Sequence, residues 1–353
     1  MKKTFARMVS LLALVAGPAT AWDYEGHRLV SQLALASLPA DFPAFALTPA
    51  ARERVAFLAG EPDRWRNSPD STFRHLNAPD HYFDLEDLAD YGLDAATLPP
   101  FRHDFTALLG VGRAAHPANF PPIDKAKDAD HTRALLGFLP WSIAESEGKL
   151  KSGFSYLKVL EEHGTPEEIA NAHQNILYVM GVMGHYVGDA TQPLHTTKHF
   201  NGWVGENPNG YSTNKTFHSW IDGGYLNKVG VKPETVLAKV RPARRLDLTA
   251  PGAAVTNIFP AVMKWLQEQH QLVRPLYELE KARKLSGRGE PDPESVAFLT
   301  GQLLKGGQML GDLWFTAWKE APTDSFLRGQ LLKRKALAAQ KGGDDKADEP
   351  AKP

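Results

Sequence analysis

Apolar residues recur every three or four positions along much of the chain, a spacing that predicts helices. Leu29, Val30, Leu33 and Ala36 form the first stripe, which closes at Leu38-Pro39. A second helix is predicted from Pro49 to Trp65. From Leu98 to Pro140, Pro99, Pro100, Pro117, Pro121 and Pro122 predict an irregular stretch. A helix then runs from near Pro140 to Gly164. The next opens on Thr165-Pro166-Glu167-Glu168, a capping box with proline at the first helical position, and should reach Thr191 before Pro193. Residues 198–216, rich in Asn, Gly and aromatics, predict a loop. Helices follow over Phe217–Leu226, Ala253–Lys284 and Pro293–Glu320. In the last, Val296, Leu299, Leu303, Leu310, Trp314 and Ala317 share a stripe that reads as core. The expected fold is all-α: one multi-helix domain over 22–335, with long loops, room for short hairpins, and residues 85–172 as an elaborated insertion. Residues 340–353 carry no large apolar side chain and are expected to be disordered.

The N-terminal stretch falls outside this pattern. Lys2, Lys3 and Arg7 precede an apolar run from Met8 to Ala16, and Ala19-Thr20-Ala21 has the small-x-small form of a cleavage site. Residues 1–21 therefore read as a secretory signal, which places the protein in the periplasm or outside the cell. The run is too short for a transmembrane helix, and no other segment is apolar enough to be one. Cleavage removes three of the 40 Lys and Arg and none of the 41 Asp and Glu, leaving a formal charge of −4. A broad basic face for nucleic acid or anionic lipid is thereby excluded, so any grip on phosphate must be local. The chain has no cysteine, which excludes disulfides and thiolate metal sites. A metal would need nitrogen and oxygen ligands, which suits zinc on His and Asp.

Thirteen histidines are present. His185 with Asp189, and His218 with Asp222, are each four apart on a predicted helix, so each pair shares a face and can converge on one point. One such pair is common on surfaces; two pairs with His195 between them point more firmly to a metal. Gly181, Gly184 and Gly188 flank the first pair. Each costs about 1 kcal/mol inside a helix, so another backbone or a metal cluster should come close there. Cleavage after Ala21 would leave Trp22 with a free amine beside its carbonyl, a chelating pair that His27 could complete.

Together these positions carry a resemblance. Trp22-x-x-x-Gly26-His27, Asp63, His81-Tyr82, the run Gly184-His185-Tyr186-Val187-Gly188-Asp189-x-x-Gln192-Pro193-Leu194-His195, and His218-x-x-x-Asp222 resemble the zinc-dependent superfamily of single-strand-specific type I nucleases and phospholipases C. The resemblance spans Trp22 to Asp222 and implies a helical fold of that kind holding three zinc ions per chain. It implies one ion on Asp63, His81, His185 and Asp189, and a second on His195, His218 and Asp222. The third would sit on the Trp22 amine and carbonyl, His27 and Asp189, so that Asp189 bridges two metals. It further implies that Asp63 orients a water whose pKa zinc lowers to about 7. Arg66, one turn later, would clamp the charge that develops on phosphorus. Histidines 75, 103, 116, 131, 163, 173, 199 and 270 are left as surface or core residues, with His199 the nearest to being an exception.

Within the superfamily, the short Trp22-to-His27 interval, the 23-residue step from His195 to His218, and Asp rather than Glu at 222 resemble the nucleases. The expected reaction is hydrolysis of single-stranded DNA and RNA to 5′-phosphate ends. Bases would stack on Tyr82, Trp203 and Tyr211, whereas Phe200 is expected to pack its loop onto the body. Phospholipase C action on phosphatidylcholine-like lipids is the alternative. The missing cysteines and the long interval from His81 to His185 depart from the fungal and plant nucleases, and the runs Phe138-Leu139-Pro140-Trp141-Ser142-Ile143 and Leu194-His195-Thr196-Thr197 resemble bacterial members labelled phospholipase-like. Glu25 would be the residue for a choline cation, though it reads more simply as a solvated helix position. A zinc-binding export protein without activity is the third reading. No protein partner is implied.

Overall fold

The structure, a computed structural model, describes residues 22, 24–248 and 257–347, with side chains to 340. The expected signal segment and the last six residues lie outside this set. Every regular element among the described residues is helical. In order these are α1 (Tyr24–Ser37), α2 (Pro49–Leu58), α3 (Glu61–Arg66), α4 (Ser71–Asn77), α5 (Arg102–Ala115), α6 (Leu139–His163) and α7 (Pro166–Thr191). They continue with α8 (Phe217–Ser219), a π-helical turn (Trp220–Tyr225), α9 (Leu226–Val229), α10 (Pro233–Leu237), α11 (Phe259–His270), α12 (Val273–Lys281), α13 (Pro293–Glu320) and α14 (Ser325–Ala347). The loops carry short 3-10 turns where hairpins had room to form.

α7 lies at the centre, packed by α6, α2, α13 and α1, while α1 also lies along α13. Its start follows from local chemistry. Thr165 Oγ1 accepts the Glu168 N–H at 3.3 Å, the Glu168 carboxylate accepts the Thr165 N–H at 2.8 Å, and Pro166 occupies the first turn. The α13 stripe is core, as its spacing predicts: Leu299, Leu303, Leu310, Trp314 and Ala317 are buried and Val296 is half-buried. Each large buried side chain contributes about 1.5–3 kcal/mol. The three α7 glycines lie where neighbours come close. A Cβ at Gly181 would stand 2.8 Å from the Val55 carbonyl oxygen, one at Gly184 2.7 Å from Ser31 Oγ, and one at Gly188 2.5 Å from His27 Nδ1. Backbone approach and site approach thus occur along the same helix.

Several boundaries differ from the sequence pattern. The predicted helix over 49–65 is two, broken at Ala59-Gly60, where the Tyr24 ring lies against Gly60. The stretch from 98 to 140 contains a full helix, α5: its prolines bound the element instead of interrupting it, and Phe105, Leu109 and Gly112 form its buried face. The helix expected over 253–284 is α11 and α12, separated at Gln271-Leu272. Of the expected insertion 85–172, residues 139–172 belong to α6 and the start of α7, which pack on each other and on α13, and 85–138 holds α5 and its flanking loops. Helix α14 continues to Ala347, into the 340–353 stretch where disorder was expected, although Gly342 and Gly343 disfavour a helix there; 348–353 lie outside the described residues. No described helix is long and apolar enough to cross a membrane.

Candidate metal centre

Six segments bring eight of the nine predicted ligands together, all but Trp22. α1 supplies His27, α3 supplies Asp63 and Arg66, and a 3-10 turn at Ala78–His81 supplies His81. α7 supplies His185 and Asp189 from its last two turns, a second 3-10 turn at Pro193–Thr196 supplies His195, and α8 with the π-turn supplies His218 and Asp222. His27, His81, His185, Asp189 and Asp222 are fully buried, and His195 and His218 nearly so. Three groups of ligand atoms each fall within 4.8 Å of one another and could hold a metal ion: His27, Asp63 and His185; His81, His185 and Asp189; and His195, His218 and Asp222.

Asp189 joins the sets. Its Oδ1 lies 3.4 Å from His27 Nε2, while its Oδ2 lies 3.0 Å from His81 Nδ1 and 3.3 Å from His185 Nε2. Asp63 Oδ1 stands 3.9 Å from His185 Nε2 and 4.0 Å from His81 Nδ1. The His27 and His185 rings stack at 4.0 Å. Trp22 is fully buried, and its indole N–H donates to Thr191 Oγ1 at 3.4 Å, two residues beyond Asp189.

The protons available do not satisfy this arrangement. His185 Nδ1–H donates to the Ala59 carbonyl at 2.7 Å, so its Nε2 lone pair faces the carboxylates. His195 Nδ1–H donates to the His81 carbonyl at 2.5 Å, which turns its Nε2 lone pair toward His218 Nε2 at 2.9 Å. That His218 nitrogen is also 2.8 Å from Asp222 Oδ2, and one proton cannot serve both neighbours. Both His27 nitrogens, His81 Nε2, Asp189 Oδ1 and Asp222 Oδ2 are buried without a hydrogen bond. Buried polar atoms in such numbers are costly unless something binds them. A set of lone pairs converging on carboxylates is what cations fit, and the outward Nδ1–H bonds are the usual orienting contacts of metal-bound histidine.

Electrostatics agree in direction. Burial, then the neighbouring His185, pulls His27 well below the ordinary histidine value; burial and the Arg66 charge do the same to His81; burial lowers His195. Burial acts downward on His185 too, but the Asp189 and Asp63 carboxylates together raise it. Burial pushes Asp189 upward, yet His185 and His195 hold it well below the carboxylate range. Neutral His27, His81 and His195 beside an ionised Asp189 are the states that metal ligands need, while the carboxylates favour a positive charge at His185, the place a cation would take.

The centre opens into a cleft of about 540 Å³. Arg66, Tyr82, His195, Phe200, Asn201 and His218 line it, together with Lys127, Asp130, Thr132, Arg133 and Leu135 of a separate segment. Arg66 Nε lies 2.7 Å from Asp63 Oδ1. The loop aromatics differ from expectation. Trp203 stacks on His199 at 3.9 Å, donates its indole N–H to the Glu206 carbonyl, and packs on Tyr211 and Tyr277. Tyr211 is buried, with its hydroxyl on Glu278 at 2.7 Å. Both pack the loop onto α12 and present no face to the cleft. Phe200, expected to pack, is 42% exposed at the cleft with its edge to the His218 ring. Tyr82 is at the cleft as predicted. His199 is no ligand, since its Nδ1 accepts the Val204 N–H at 3.0 Å. Glu25 is exposed and paired with Arg28.

Sequence reasoning missed the supporting residues. Gln192 donates through its amide to Asp222 Oδ1 while its own oxygen accepts the Leu194 N–H at 3.0 Å, so it orients a ligand and shapes the turn that carries His195. Its place between two ligands was the available signal. Asn201 Oδ1 accepts the His218 N–H at 3.2 Å. Asp84, on the cleft, is pushed well above the carboxylate range by burial and by Asp87 and Glu86. Among known proteins, the chain matches no family model and no curated sequence.

Proposed function

We propose that this chain is an exported zinc-dependent phosphodiesterase of the type I nuclease kind, holding three zinc ions and cutting single-stranded DNA and RNA to 5′-phosphate ends. The observation that carries the reading is Asp189, whose two oxygens address two different histidine sets beside a cleft lined by Arg66. Zinc bound there lowers the pKa of water to about 7 and neutralises charge on phosphoryl oxygens. Asp63 accepts a hydrogen bond from the attacking water and aligns it with phosphorus. The P–O3′ bond breaks as the water oxygen adds, and the proton finishes on the 3′ oxygen. Arg66, held against Asp63 at the cleft, places its guanidinium charge near the phosphoryl oxygens on which negative charge develops. Tyr82 and Phe200 offer ring surface on which bases of a flexible strand can stack.

Phospholipase C activity has one observation in its favour. Phe73 and Leu76 on α4 are 40% and 64% exposed, and α4 leads directly into Ala78 at the cleft, so a lipid surface could meet apolar residues there. The deciding experiment measures zinc-loaded protein starting at Trp22 on single-stranded DNA, RNA, a bis-aryl phosphate and phosphatidylcholine vesicles. Turnover of polynucleotide well above lipid supports the proposal. Turnover of lipid alone leaves only the phosphodiesterase chemistry, and turnover of nothing leaves a zinc-binding protein.

A further inference from the structure

The far wall of the cleft comes from the peripheral segment 85–138, to which the reading above gives no task. Its residues 123–136 have little regular structure beyond one 3-10 turn, yet they are pinned at many points. Asp128 is buried and its carboxylate accepts the Arg133 N–H at 3.1 Å. Asp130 pairs with Arg74 of α4 at 2.6 Å, and its carbonyl accepts from His75 at 2.7 Å. Tyr91 donates its hydroxyl to the Ala134 carbonyl at 3.0 Å. Residues 134–139 then run beside the segment that carries ligand His81. The Asp84 N–H donates to the Leu136 carbonyl at 2.8 Å, the Leu139 N–H to the Tyr82 carbonyl at 3.2 Å, and the Phe138 N–H to the Pro79 carbonyl at 2.6 Å. At Gly137, with φ +92°, a Cβ would stand 1.9 Å from the Tyr82 carbonyl oxygen, so the approach admits only glycine. The wall is thus held in register with the metal centre.

This fixed wall presents cations. Arg133 uses Nε to donate to the Lys127 carbonyl at 2.6 Å, which sets the guanidinium in place with its two Nη groups directed elsewhere. Among the described residues no carboxylate pairs with Arg133. Lys127 pairs only with Asp124, at 3.4 Å with both side chains exposed, a contact worth little in water. Of the two other carboxylates that line the cleft, Asp130 is paired with Arg74 at 2.6 Å, and burial with Asp87 and Glu86 pushes Asp84 toward its neutral form. Arg133 also borders a second hollow of about 240 Å³ lined by Asp84, Asp87, Asp90 and Arg113, so it stands where the two hollows meet.

We infer that Arg133 and Lys127 form a subsite for a second phosphate of a polynucleotide strand, flanking the phosphate held at the metal centre. The inference rests on the phosphodiesterase reading. It deepens that reading by separating substrates: a strand repeats its phosphates, whereas phosphatidylcholine carries one. A planar guanidinium with both Nη groups available suits a phosphate fork, and a flexible lysine beside it supplies a point charge.

The test uses the zinc-loaded protein, the double variant Arg133→Ala/Lys127→Ala, and Arg133→Lys. Anisotropy of a labelled phosphorothioate dodecathymidylate, which resists cleavage, is followed against salt. The double variant should bind about tenfold more weakly, the loss expected for charge-assisted hydrogen bonds. Its slope of log affinity on log salt should fall by about 0.7 for each phosphate contact removed. Arg133→Lys should restore the slope but only part of the affinity. In turnover, KM for the dodecamer should rise about tenfold more than KM for a dinucleotide with one phosphate. An unchanged slope, or equal KM shifts on the two substrates, overturns the subsite. So does a variant that loses binding to phosphatidylcholine vesicles while keeping the oligonucleotide. If wild-type protein turns over no diester, the phosphodiesterase reading fails by itself, and the salt slopes still decide whether these side chains hold phosphate.

Discussion

Gly188→Ala tests whether α7 and α1 approach closely for the sake of the site. The added methyl would lie 2.5 Å from His27 Nδ1 and 3.0 Å from its Cε1, about 0.9 Å inside the 3.4 Å where ordinary contact begins. The ring is not free to move, because it stacks on His185 at 4.0 Å and is fully buried. Overpacking of this size costs about 1–3 kcal/mol. Replacing a helical glycine returns about 1 kcal/mol. Without metal, the net loss should therefore be about 0–2 kcal/mol. The larger effect falls on binding, since ligand distances tolerate only about 0.2 Å. A site occupied at one hundred times its Kd contributes about 2.7 kcal/mol. At about 2 °C per kcal/mol for a chain of this size, the Tm gained on adding zinc should shrink by about 5 °C in the variant. Metal analysis should show one ion fewer than wild type. Gly148→Ala on α6 serves as the control: nothing lies within 4 Å of its Cβ, so it should stabilise by up to about 1 kcal/mol and keep all its metal. Equal zinc-induced Tm gains and equal metal content in Gly188→Ala and wild type would refute the argument.

Other expectations can be checked with the same protein. Arg66→Ala should lower kcat on single-stranded DNA by about 10²–10³ with zinc content unchanged, and an unaltered kcat would remove Arg66 from the reaction. Phe200→Ala should weaken the KM for oligonucleotides by roughly one stacked base, about 1–3 kcal/mol. Trp203→Ala should instead destabilise the fold by about 2–3 kcal/mol, as a half-buried Trp truncation does, and a larger KM effect at 203 than at 200 would reverse the assignment. The Arg334 hydrogen bond holds Glu168 down, from its ordinary 4.5 to about 2. A lowered carboxylate adds stability above its unfolded value and loses it as pH falls through its folded one. Hydrogen exchange in α14 should therefore quicken between pH 4.5 and 2. Glu168→Gln, which preserves the capping box, should remove that pH step, and exchange in α14 that ignores both changes would discard the tether.

What the sequence disclosed was what is local. The α7 start, the α13 stripe and the i, i+4 ligand pairs depend on residues within a turn of each other, and they appear where the pattern put them. α5 stayed hidden because Pro100 and Pro117 looked like interruptions and prove to be its limits. The wall at 123–136 was illegible, since its position depends on pairing with 79–84, some fifty residues away in the chain. Phe200, Trp203 and Tyr211 share one loop and similar local polarity. Which of them turns inward is decided by Tyr277 on α12, and nothing near position 200 reveals that. The nine predicted ligands could be gathered from sequence only by resemblance, and their convergence depends on helix packing between segments as far apart as α1 and the π-turn.

That distance along the chain has a consequence in time. His27 is made early, but Asp189, whose Oδ1 it faces at 3.4 Å, comes 162 residues later, and the last of the gathered side chains is Asp222. A chain emerging N-terminus first can hold no more than fragments of the centre until α7 has formed and α1 has docked on it and on α13. Contacts of such long range close slowly. Any metal the centre takes up would therefore load late, and a filled centre would certify that the whole helical body has been assembled.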